Sequence, residues 1–134
     1  MNASILVMKS VFVVGSRKFY QQIKDAVRKL KRNNIPAAAV VGKWNGEKGE
    51  TLEGESAAIQ SAFREIDECD VVYVFSKDGY IGNSVSVEIA YAYARRKELI
   101  AMHDIKDKCV QTLVPRVMGC LELIKYCKRG ARSR

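Results

Sequence analysis

Short unbroken apolar runs alternate along the chain with longer stretches in which apolar residues recur every three or four positions. The runs are Ser10-Val11-Phe12-Val13-Val14, Ala37-Ala38-Ala39-Val40-Val41, Asp70-Val71-Val72-Tyr73-Val74-Phe75 and Glu98-Leu99-Ile100-Ala101-Met102. A run apolar at successive positions suits a strand buried on both faces, as in a parallel sheet. Between the runs, Phe19, Ile23, Ala26, Val27 and Leu30 predict a helix over Phe19–Arg32. Ala58, Ile59, Ala62, Phe63 and Ile66 predict a second over Glu55–Asp67, and a third is expected over Val85–Arg96 behind an N-cap at Ser84. Asn33-Asn34-Ile35-Pro36 stops the first helix, because proline blocks continuation and asparagine tolerates a left-handed cap. Beyond His103 the pattern is weaker. Lys108–Met118 reads as helical with Pro115 in a first turn, and Leu121–Tyr126 as a fifth, edge strand in preference to a helix.

Strand–helix alternation of this kind requires right-handed crossovers and places helices on both faces of the sheet. The expected fold is a single doubly wound α/β domain over residues 1–134, flavodoxin-like or Rossmann-like, with a parallel sheet of four to five strands. Residues 128–134 form a basic tail expected to be disordered. A chain of 134 residues buries about two-thirds of its unfolded surface, so no disulfide or metal staple is needed.

No apolar run approaches the ~20 residues that span a bilayer, and the opening lacks the basic cluster of a cleaved signal. A cytoplasmic location without membrane contact is expected. The four cysteines, Cys69, Cys109, Cys120 and Cys127, form no Cys-x-x-Cys pair, and His103 is the one histidine, so no metal site and no cofactor is expected. The net charge of +8 raises nucleic acid as a partner. Much of the excess sits in Arg28-Lys29-Leu30-Lys31-Arg32 and in the tail, without the interleaved aromatics that single strands stack on. A solvated helix face explains it better, and a small phosphorylated ligand is the next reading.

In open α/β sheets, ligands bind beyond the carboxyl ends of the strands, where strand order reverses. Three loops reach that rim. Gly15-Ser16-Arg17-Lys18 offers backbone N–H groups and a guanidinium to an anion, though an ordinary strand-to-helix turn looks the same. Gly42–Gly54 is long, glycine-rich and acidic, and holds Trp44. Ser76–Ser84 contains Asp78, Gly79, Tyr80 and Asn83 and leads to Ser86 and Glu88. Glu88 is read in the first turn of its helix, where a glutamate either complements the helix dipole or meets a ligand. Trp44 and Tyr80 are candidates for stacking on a base. Tyr73, Tyr91 and Tyr93 read as core or interface residues, Asp70 as a strand cap and His103 as incidental.

Asp70-Val71-Val72-Tyr73-Val74, Gly79, Asn83-Ser84-Val85-Ser86-Val87-Glu88-Ile89-Ala90-Tyr91-Ala92 and Lys97-Glu98-Leu99-Ile100-Ala101 together resemble the nucleoside 2-deoxyribosyltransferase family. Its pattern is A-D-V-V-V-A-V, a variable loop, S-G-T-A-x-E-I-G-Y-A and G-K-P-V-I-A. Gly15-Ser16-Arg17 is similar to its first-strand loop, and the likeness covers roughly Val11 to Met102. The resemblance implies cleavage of the N-glycosidic bond of a deoxynucleoside, or of a nucleoside 5′-monophosphate as in some relatives, by hydrolysis or transfer. Glu88 matches the family's nucleophile at C1′, a carboxylate that traps an oxocarbenium-like centre as in retaining glycosidases. The resemblance also implies a homodimer or larger homo-oligomer.

One departure stands out. The family's aspartate that serves the leaving base falls at Ala62, leaving Glu55, Glu65 or Asp78 as substitutes. Arg17 with Ser16, Asn83, Ser84 and Ser86 offers more than a plain nucleoside needs, which favours a nucleotide. A non-catalytic nucleotide-binding or sensing module is the alternative. The P-G-G-x-G-T-x-x-E motif of the cytokinin-activating phosphoribohydrolases is absent, and nucleic-acid binding ranks last.

Overall fold

The computed structural model describes residues 6–41, 51–129 and 132–133. Strand β1 (Leu6–Val7) pairs antiparallel with β6 (Arg132–Ser133) in a small ribbon. The main sheet is parallel, with β2 (Val11–Gly15), β3 (Ala37–Ala39), β4 (Val71–Phe75) and β5 (Glu98–Ala101) in the order β3-β2-β4-β5. The chain steps outward from β2 to β3, then returns past β2 to β4 and β5. Strand order therefore reverses between β2 and β4, where Gly15 lies beside Phe75.

Side chains alternate across each strand. Val11, Val13, Val71, Tyr73, Phe75 and Ile100 pack with α1 (Tyr20–Arg32) and α5 (Cys120–Arg129). Phe12, Val14, Val72, Val74, Leu99 and Ala101 pack with α2 (Leu52–Glu68) and α3 (Asn83–Ala94). Burial on both faces is why these strands are unbroken apolar runs. The result is the single doubly wound α/β domain expected from the pattern. Asn34 takes the left-handed conformation, φ 63°, that ends α1. Among the described residues, no helix is long and apolar enough to cross a membrane.

Five expectations are corrected. Leu121–Tyr126 is not an edge strand but part of helix α5. Cys120, Leu123, Ile124 and Cys127 recur at helical spacing toward the sheet, while Leu121 is 65% exposed. Of Lys108–Met118, only α4 (Lys108–Gln111) is helical, capped by the Asp107 carboxylate accepting from the Val110 N–H at 3.0 Å. Pro115 disfavours helix at the residue before it. The chain instead runs out to a single parallel bridge between Val117 and Ala101. Ser84 is not an N-cap: α3 begins at Asn83 with Gly82 as its cap. Glu88 is thus the sixth residue of α3, beyond the first turn, where a dipole role would require it. Of the basic tail, Lys128 and Arg129 close α5, and Arg132–Ser133 belong to β6.

Asp70 caps the start of β4 by accepting from the Ser10 N–H at 2.8 Å and the Ser10 hydroxyl at 3.2 Å. Tyr73 is fully buried and donates to the Met118 carbonyl at 2.7 Å. At the amino end of β5, Glu98 accepts from Lys9 Nζ and Arg116 Nη1, each at 2.9 Å, and from the Tyr126 hydroxyl. This cluster ties α5 and the entry to β2 onto the edge strand. Glu98→Ala leaves Lys9, whose side chain is 15% exposed, without its carboxylate. It is expected to lower stability by about 2 kcal/mol in urea titration. Because the cluster sits at the opposite end of the sheet from the strand carboxyl ends, ligand binding there should be unchanged.

Candidate active site

A cleft of about 470 Å³ opens at the carboxyl end of β2. Ligand clefts run from about 300 to 1,000 Å³. Its floor is Phe12 to Gly15 of β2, and one wall is Val40 and Val41, just past β3. Glu55, Ser56, Ala58 and Ile59 from the start of α2 form a second wall, and Ser84, Val87 and Glu88 of α3 a third. Ser84, Val87 and Glu88 are spaced i, i+3, i+4, so one helical face turns toward the cleft.

Local structure places each group. Gly15 ends β2 where a Cβ would sit 2.7 Å from Ile23 Cδ1 and 3.0 Å from Phe75 Cβ, so only glycine fits without a shift. The chain then turns through a short 3₁₀ segment, Arg17–Phe19, capped by the Ser16 hydroxyl accepting from the Lys18 N–H at 3.2 Å. Arg17 projects from this segment and forms an ion pair with Glu55. Glu55 is held in the first turn of α2, whose N-cap Thr51 accepts from the Gly54 N–H at 3.0 Å.

Glu88 differs from Glu55. It is half-buried, and among the described residues it has no hydrogen bond or ion pair. Burial pushes its carboxyl up to about 7. Near neutral pH the group stands poised between acid and carboxylate. A strongly shifted carboxyl lining a cleft marks a candidate functional group.

Of the residues singled out from the sequence, the structure brings Gly15, Arg17, Ser84 and Glu88 together on this cleft. Ser16, Asp78, Gly79, Asn83, Ser86 and Tyr80 are not among its lining. The Ser86 hydroxyl donates to the Gly82 carbonyl at 3.4 Å. Tyr80 packs edge-on against Phe19, centroids 6.1 Å apart, with Lys18 over its ring at 4.2 Å. Asp78 and Gly79 have positive φ, 56° and 82°, and shape a tight turn. The Asp78 N–H donates to His103 Nδ1 at 3.0 Å, and the buried Ser76 hydroxyl donates to the His103 carbonyl at 2.7 Å. His103 is thus a brace for this turn, a role its sequence position did not disclose. Trp44 lies outside the described residues.

Among the three carboxylates offered as substitutes at Ala62, Glu55 lines the cleft, while Glu65 and Asp78 do not. Ala62 itself is 1% exposed within the core. Val40, Val41, Ser56, Ala58, Ile59 and Val87 were not anticipated as cleft residues. The i, i+3, i+4 spacing of Ser84, Val87 and Glu88 was a signal for Val87.

By sequence, no protein-family model and no curated protein matches the chain. Solved structures do match in shape. A conserved protein from Enterococcus faecalis V583 superposes with a TM-score of 0.67 at 13% identity, covering 92% of this chain and 99% of that one. The CMP N-glycosidase BcmB of Clostridium botulinum superposes with a TM-score of 0.52 at 16% identity, covering 88% and 97%. A 2-desoxiribosyltransferase from Leishmania mexicana gives 0.49 at 13% identity, covering 72% and 65%. The chain therefore has the fold of the Enterococcus protein and of a CMP N-glycosidase, which is the fold implied by the resemblance of its motifs to the nucleoside 2-deoxyribosyltransferase family.

Proposed function

We propose that the chain cleaves the N-glycosidic bond of a nucleoside or nucleoside 5′-monophosphate, by hydrolysis or transfer, with Glu88 as nucleophile. The observation that carries this reading is the Glu88 carboxyl, half-buried on a ligand-sized cleft at the carboxyl end of β2 and without a hydrogen bond or ion pair among the described residues. One Glu88 oxygen attacks C1′ as the bond from C1′ to the base nitrogen breaks. The bonding pair leaves with the base, which takes up a proton. Water or an incoming base then attacks C1′ and releases the carboxylate. The apolar walls, Val14, Val40, Val41, Ile59 and Val87, keep the nucleophile poorly solvated and therefore reactive.

The nucleophile must be ionised. With the carboxyl pushed up to about 7, kcat/KM is expected to fall about tenfold per pH unit below 7 and to level off above it. A pH–rate profile of free-base release measures this, and a flat profile from pH 5 to 8 would remove Glu88 from the step. The assay itself is incubation with a panel of nucleosides and nucleotides, with free base detected by chromatography.

A second reading is a nucleotide-binding module without turnover. It is favoured by the alanine at position 62, buried in the core, which puts no carboxylate where the resembling family serves the leaving base. Ligand-dependent rise in melting temperature with no base released would select it. The family resemblance also supports a homodimer or larger assembly, which sedimentation reads directly.

A further inference from the structure

Arg17 and Glu55 line the same cleft as Glu88 and are joined to each other in an ion pair. Arg17 is the one Lys or Arg lining the cleft among the described residues. A guanidinium that receives a phosphate offers its forked N–H edge to two phosphate oxygens. Here that guanidinium already serves a carboxylate of this chain. A 5′-phosphate carries about −1.5 to −2 charge near neutral pH. A phosphate approaching Arg17 meets the Glu55 carboxylate paired to it and lies in a cleft that also holds Glu88, so two carboxylates face it against one guanidinium.

Of the other phosphate partners read from the sequence, Ser84 lines the cleft and Asn83 lies off it, while three more are engaged elsewhere. The Ser16 hydroxyl caps its own turn, the Ser86 hydroxyl bonds Gly82, and Lys18 stands over Tyr80. A sugar hydroxyl makes a different demand. It donates to the Glu55 carboxylate and accepts from Arg17, and the ion pair stays intact. Resting on the glycosidic reading above, we infer that the Arg17–Glu55 pair is a specificity determinant that selects unphosphorylated nucleosides, Glu55 being the residue that turns 5′-monophosphates away.

Binding tests this apart from turnover. Wild type, Glu55→Gln and Glu55→Ala are titrated by thermal shift with the common ribo- and deoxyribonucleosides and with their 5′-monophosphates. The Glu55 side chain is 45% exposed, and partly exposed ion pairs add little to stability, so both variants should fold. Wild type is expected to respond to a nucleoside at a concentration at least tenfold lower than to its monophosphate. Glu55→Ala should shift that ratio at least tenfold toward the monophosphate, because Arg17 is released. A wild-type preference for monophosphates, or a ratio unchanged in both variants, overturns the inference. Flat melting curves with every ligand overturn it together with the glycosidic reading. A nucleoside preference without release of base sustains the inference and removes the glycosidic reading alone.

Discussion

Glu88→Gln is expected to reduce release of free base by about 10³-fold or more while making the protein more stable above pH 7. Glutamine keeps the shape of the side chain but cannot form a glycosyl ester. The stability gain follows from the same burial that raises the carboxyl. Its folded value, about 7, lies above the ordinary 4.5, so the native state holds the proton more tightly than the unfolded chain does. Stability associated with the neutral form is complete below pH 4.5 and is lost as pH rises through about 7. The loss is at most about 3.5 kcal/mol, at about 1.4 kcal/mol per pH unit, and less where the half-buried group meets water. Glutamine carries no charge to desolvate. Its melting temperature should match wild type near pH 4.5 and exceed it by several degrees at pH 8. Equal melting temperatures at pH 8 would show that the charged carboxyl costs no stability, and undiminished release of base would show that it is not the nucleophile.

Ala62→Asp should destabilise the protein by about 3 kcal/mol or more and should not raise activity. This substitution restores the residue that the resembling family carries. Position 62 nevertheless packs with Phe12, Val14, Ile66 and Val72 in the core between α2 and the sheet. Glu55, Ser56, Ala58 and Ile59, earlier on α2, line the cleft; by position 62 the helix face is sealed. An aspartate there would bury an unpaired charge. Denaturant titration and the base-release assay together measure the outcome. Full stability with enhanced turnover would mean that this side chain reaches the cleft.

The strands were legible because burial on both faces leaves no polar position to blur them: Val71 through Phe75 are all buried. The α5 segment was misread because a short run such as Leu121–Tyr126 fits either period, and Leu121 proved to face solvent. The segment after His103 was obscure because its order comes from tertiary contacts. The Ala101 N–H donates to the Arg116 carbonyl and the Met118 N–H to the Ala101 carbonyl, each at 2.9 Å. At the cleft, Arg17 was legible from its place after the end of β2, and Glu88 from the motif that resembles the family, although it lies beyond the first turn where the pattern put it. The pairing of Arg17 with Glu55 was not, because it depends on how α2 is set against the turn after β2. Position alone offered Glu55, Glu65 and Asp78 equally.

The central claim is that the Glu88 oxygen bonds to the anomeric carbon. Intact-protein mass spectrometry after incubation with 2-fluoro-2-deoxyarabinosyl nucleosides tests it most directly, since the fluorine slows release of the glycosyl enzyme. The account predicts a mass increase of one fluorosugar, mapped by peptide digestion to Glu88 and absent from Glu88→Gln. Base released from the natural nucleosides with no adduct at Glu88, or with the sugar on another residue, would contradict it.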